Sequence, residues 1–112
     1  MNMTVQENEL LRYIMLSTLH LSQADALTFS YLSDQIDSMD TYTHQWIHNM
    51  GMHSGFLIRL SVRSDAPSEI RALGISDELC NTLALLAQSL NVSMVHFDSD
   101  ADVLTGLPVY GW

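Results

Sequence analysis

The chain has 112 residues, enough for one domain around a single core, and its 47% apolar against 15% charged residues exclude an extended disordered chain. Thirteen acidic residues face four Arg and no Lys, a formal charge of −9. That balance argues against direct nucleic-acid or anionic-membrane binding, both of which draw affinity from basic groups, and makes a basic protein the electrostatic complement.

Residues 1–9 (MNMTVQENE) are polar and acidic, without the basic and apolar stretches of a signal peptide, and are expected to form a flexible lead-in to a domain spanning 1–112. Cys80 stands alone, so no internal disulfide forms, and with no apolar run near the ~20 residues of a membrane span the expected location is cytoplasmic. Residues 10–21 (LLRYIMLSTLHL) are apolar on both alternating sets, which predicts a central strand covered on both faces. Ser22 then serves as an N-cap with Asp25 three residues on, opening a helix to about Ile36. Leu27, Tyr31, Leu32 and Ile36 form its apolar arc.

Tyr42 to Arg63 reads as a β-hairpin about the Gly-flanked segment Gly51–Gly55. Phe56, Ile58, Leu60 and Val62 share one face of the second strand; Leu57, Arg59, Ser61 and Arg63 share the other. Pairing Met50 with Phe56 sets His48 opposite Ile58, Trp46 opposite Leu60 and His44 opposite Val62. The apolar row is then buried and the Arg-bearing row wet. Residues 64–75 form a loop with one helical turn near Ser68 to Ala72. Ser76 caps the second helix, and Asn91 stops it. Leu79, Leu83, Leu86 and Leu90, spaced four, three and four, make its buried stripe. Residues 92–97 close the sheet, followed by the acidic loop Asp98–Asp102 and a docked apolar tail, 103–112. The order β-α-β-β-α-β predicts an α+β, ferredoxin-like fold. Its four-stranded antiparallel sheet would have strands one and three central and two helices on one face.

Five histidines, at 20, 44, 48, 53 and 96, raise metal binding. His44 and His48 on one strand lie about 13 Å apart, far beyond the ~2 Å ligand distance of a shared ion. Asp98, Asp100 and Asp102 match the first EF-hand ligand positions, but Val103 and Val109 replace the glycine and the bidentate glutamate. No metal or cofactor is therefore expected. Ser17 and Thr18 beside His20 give a thin basis for nucleophilic chemistry, and neither a G-x-S-x-G elbow nor a Gly-rich phosphate loop is present. RNA stacking is disfavoured because the open face of the third strand offers Leu57, Arg59, Ser61 and Arg63 and no aromatic.

The Ser17-Thr18-Leu19-His20-Leu21 segment, together with Phe97-Asp98 and the ending Leu107-Pro108-Val109-Tyr110-Gly111-Trp112, resembles a family of small uncharacterised bacterial domains carried on plasmids, phages and other mobile elements. Its members have a similar S-T-x-H-L segment and an L-P-x-Y-x-W finish. The resemblance implies genomic company with proteins that blunt host defence, and carries no activity with it. The reading that joins these signals is a non-catalytic, acidic protein-binding domain. It would be an inhibitor of the anti-CRISPR or anti-restriction type that presents Asp34, Asp37, Asp40, Asp98, Asp100 and Asp102 to the basic groove of a host protein, imitating nucleic acid. Two alternatives are a small enzyme or metal protein centred on His20 and the Asp98–Asp102 loop, and a homodimer module joined through the open sheet face or the tail.

Overall fold

A computed structural model describes residues 11–34, 47–51, 54–60 and 65–111. Within them the order is β1 (Tyr13–Ser17), a 3-10 turn (Thr18–His20), α1 (Gln23–Ser33), β2 (Ile47–Asn49), β3 (Phe56–Arg59), α2 (Ala66–Ala72), α3 (Asp77–Leu90) and β4 (Met94–Asp98). The architecture is α+β, with three helices among the described residues and a four-stranded sheet in the order β1-β4-β3-β2.

The sheet is mixed. β1 pairs parallel with β4, whereas β4–β3 and β3–β2 are antiparallel. A ferredoxin-like sheet, antiparallel throughout with the first and third strands central, is thus only roughly matched. Here β4 and β3 are central and β1 lies at an edge. The outer row of β1 explains the difference: Tyr13 and Met15 are apolar yet 46% and 47% exposed, so the double apolar pattern does not signify cover on both faces. The strand also ends early. Ser17 stays extended and its hydroxyl accepts from the Leu19 amide at 3.0 Å, turning the chain into the 3-10 segment.

The hairpin register differs by one residue from the expected one. Asn49, not Met50, pairs with Phe56; His48 faces Leu57, and Ile47 faces Ile58. The Met50 amide closes the turn on the Gly55 carbonyl at 2.9 Å, and Gly55 takes the left-handed region at φ 67°. This slip carries Ile47 into the core, where both it and Ile58 are buried, and leaves His48 on the outer face. The alternation within β3 is as expected for Ile58 against Leu57 and Arg59. Tyr42, His44 and Trp46 lie outside the described residues, as do His53, Ser61, Val62, Arg63 and residues 1–9.

One row from each strand feeds the core: Ile14 and Leu16, Val95 and Phe97, Phe56 and Ile58, and Ile47. These residues join a single cluster with Phe29 and Leu32 of α1, Ile70 of α2, and Leu79, Leu83 and Leu86 of α3. α1 is rotated and shorter than its pattern suggests. Ala26, Phe29 and Leu32 are inward, while Leu27 and Tyr31 are each 65% exposed, because Phe29 seats against Phe56 with ring centroids 5.7 Å apart. The turn expected near Ser68 is a seven-residue helix with Pro67 in its first turn. α3 begins at the Ser76 cap and ends at Asn91, left-handed at φ 54°, both as expected. Leu90 departs from its stripe and is 41% exposed.

Candidate functional site

The chain leaves β4 through the acidic loop and returns as a strap, residues 102–110, across the exit of β1. Backbone bonds tack it down: the Ser17 amide donates to the Asp102 carbonyl at 3.1 Å, and the Tyr110 amide donates to the Leu19 carbonyl at 2.8 Å. Between them lies His20, buried at the end of the 3-10 turn. The Leu104 amide donates to its Nε2 at 2.9 Å, and its Nδ1 lies 2.7 Å from the Pro108 carbonyl. An amide can only donate here and a carbonyl can only accept, so the ring is neutral with its proton on Nδ1. His20 is a latch. Both ring nitrogens hold the strap, leaving neither lone pair nor proton for a metal or a substrate.

His96 holds a proton on the other ring nitrogen: its Nε2 donates to the Ser54 carbonyl at 2.5 Å, and its Nδ1 lies 2.5 Å from the Tyr13 hydroxyl. The two rings meet edge to face at 6.0 Å. A carbonyl, an imidazole and a phenol in series have the order of an orienter, a base and a nucleophile. However, burial, with the Asp98 charge second, pushes the Tyr13 phenol pKa up, the reverse of activation. The trio instead ties the hairpin turn to β4 and β1 across the outer sheet face.

Asp25 is a third polar group used internally. It is buried in α1, and its Oδ1 and Oδ2 accept from the Ser76 amide and hydroxyl at 2.9 and 2.5 Å. Ser76 is the cap of α3, so one carboxylate joins the N-terminal ends of two helices. Cys80 is fully buried, and burial first of all raises its pKa. Such a thiol is inert.

The carboxylates expected to meet a partner fall in separate places. Asp98, Asp100 and Asp102 come together in the loop, where Asp98 Oδ1 accepts from the Asp100 amide at 2.8 Å. Asp100 and Asp102 are exposed, and Asp98 is half-buried with Oδ2 3.7 Å from His96 Nε2. Asp34 is exposed at the far end of α1, about 16 Å along the helix from the strap end at 1.5 Å per residue. Asp37 and Asp40 lie outside the described residues. Among the described residues, no three His, Cys, Asp or Glu side chains gather to hold a metal ion, and no helix is long and apolar enough to cross a membrane.

The geometry therefore defines an α+β domain whose two terminal segments are buckled together by one histidine. A sequence model described as "Family of unknown function (DUF5983) C-terminal domain" matches residues 13–112, and the chain belongs to that family. Neither curated proteins nor solved structures gave a match. Sequence reasoning missed the roles of Asp25, His20 and His96 because each has its partners far along the chain.

Proposed function

We propose that the domain works by binding a basic protein and not by catalysis. The carrying observation is a division of labour among its polar groups. The groups suited to chemistry, His20, His96, Asp25 and Cys80, are bonded or buried inside the fold, whereas Asp100 and Asp102 face solvent on a loop held by the strap. After Arg71 the sequence has Asp77, Glu78, Asp98, Asp100 and Asp102 and no Lys or Arg. A surface of one sign speeds encounter with the opposite sign and suppresses other partners.

In its finer form, the partner is the basic groove of a host defence or nucleic-acid-handling protein, and the carboxylates stand where phosphates would. The net charge and the resemblance to mobile-element domains support this form. The test is retrieval of nucleic-acid-binding proteins from host extract on the immobilised chain, with double-stranded DNA as competitor. The expected result is a retained protein displaced by DNA and lost with Asp100→Lys plus Asp102→Lys, at an unchanged melting temperature. Retention indifferent to both would defeat the reading.

A second reading, a homodimer, is favoured by one observation. Leu11, Tyr13 and Met15 form an alternating exposed row running into edge strand β1. Sedimentation that gives a monomer at every concentration would remove it.

A further inference from the structure

The strap and α3 leave between them a groove of about 280 Å3, and five leucines converge on it from two distant segments: Leu85, Leu86 and Leu90 from the helix, Leu104 and Leu107 from the strap. Leu86 is buried and Leu107 packs against the core, so these two form the floor. Leu85, Leu90 and Leu104 make the rim, and Leu85 is 53% exposed. A helix that served only the core would carry polar residues at positions 85 and 90. Clustered apolar side chains kept in water mark a contact surface. The volume lies at the lower edge of the roughly 300–1,000 Å3 usual for small-molecule sites. One or two large side chains from a partner would fill it.

Charge supplies the rest of the description. Asp102 lies on the strap two residues before Leu104, and Asp98 and Asp100 lie in the loop that leads into it, so the acidic loop adjoins the Leu104 side of the groove along the chain. The α3-to-strap half of the chain carries no Lys or Arg. Arg12 adjoins the groove on its Leu90 side, where its Nε donates to the Leu90 carbonyl at 3.1 Å, so the acidic character belongs to the Leu104 side that follows Asp102. An apolar socket whose strap wall is entered through an acidic loop has the layout of a binding hot spot, with a desolvated anchor at the centre and charges outside it.

We infer that the α3–strap groove is the docking site for a basic amphipathic helix of a partner protein. Its leucine-sized or aromatic anchors enter between Leu85 and Leu104, and its Lys or Arg residues meet Asp100 and Asp102. This deepens the basic-partner reading above and rests on it. The groove runs beside a helix, so a second helix can lay its ridges along α3, with anchors recurring at three- and four-residue spacing.

The test uses the full chain and a fluorescent helix-forming peptide of about 18 residues, five turns, with Leu on one face and Lys on the other. Two controls replace Leu by Ser, or Lys by Glu. The Leu/Lys peptide is expected to saturate at one per chain, moving the amide resonances of residues 85–90 and 104–107. Both controls should bind at least about tenfold more weakly. Leu85→Asp and, separately, Asp100→Lys with Asp102→Lys should each weaken binding about tenfold or more while leaving the melting temperature unchanged.

If the charge reversal abolishes binding and Leu85→Asp does not, the acidic surface stands and the groove inference falls. If only Leu85→Asp matters, or the Leu/Glu peptide binds equally well, the basic partner falls and this inference with it. No binding of the Leu/Lys peptide, or shifts elsewhere on the domain, overturns the assignment. So does a wild-type dimer that Leu85→Asp converts to monomer, because the occupant would then be a second copy.

Discussion

Asp25 is placed near the start of one helix, yet its carboxylate works on the start of another. It completes the bonding of the Ser76 amide, while Ser76 Oγ accepts from the Leu79 amide and donates to Asp25. Removing one partner of a buried pair leaves the other desolvated and unmet, which costs about 1–3 kcal/mol. Asp25→Ala is therefore expected to lower urea stability by about that amount, and Ser76→Ala with Asp25→Ala should cost less than the two single losses added together. Strict additivity would contradict the coupling. Tyr13 and Tyr110 give a pH-dependent counterpart. Burial is the leading cause that raises both phenol pKa values above the ordinary 10.0, with acidic neighbours adding to it. Below that value both the folded and the unfolded chain keep the proton, and their contribution is complete. Above it the unfolded chain ionises first, so stability is lost as pH rises through the folded values. The urea midpoint should fall above about pH 10, and less steeply in Tyr13→Phe. A slope unchanged by that substitution would contradict this account of the phenol.

Among the elements, the second helix of the sequence pattern was the most readable, because its signals are local. The Ser76 cap, the Asn91 stop and the leucines at 79, 83 and 86 lie within one stretch and depend little on tertiary context. The hairpin was readable as a hairpin and mistaken in register. Alternation cannot separate two pairings a residue apart when His48 and Ile47 are adjacent and the deciding contact is the burial of Ile47 on Ile58. The sheet order was hidden for a similar reason. The parallel pairing of β1 with β4 joins residues 81 apart, Tyr13 with Met94 for instance, and an apolar edge strand reads like a covered central one. As for the site, the acidic loop was visible in sequence; the latch and the groove were not, since both depend on the strap's path. Gly55 gives the element scale its prediction. At φ 67° with an added Cβ only 1.7 Å from the Phe97 carbonyl oxygen, it permits the turn to close against β4. Gly55→Ala combines left-handed strain with a clash against backbone, and should cost about 3 kcal/mol or more. A urea midpoint like that of the parent chain would remove this role.

At the scale of the molecule, the His20 latch sets where everything else sits. It positions the strap, the strap supplies one wall of the groove, and the acidic loop hangs between strap and sheet. The same latch occupies both ring nitrogens of His20 within the fold, and this, beside the charge, is the ground on which a binding role is proposed. Long-range proton–nitrogen correlation spectra of the histidine rings in the folded chain test this directly. The account predicts a neutral His20 ring with the proton on Nδ1 and a bare, hydrogen-bonded Nε2. A proton resident on Nε2, or a ring exchanging freely with water, would contradict it.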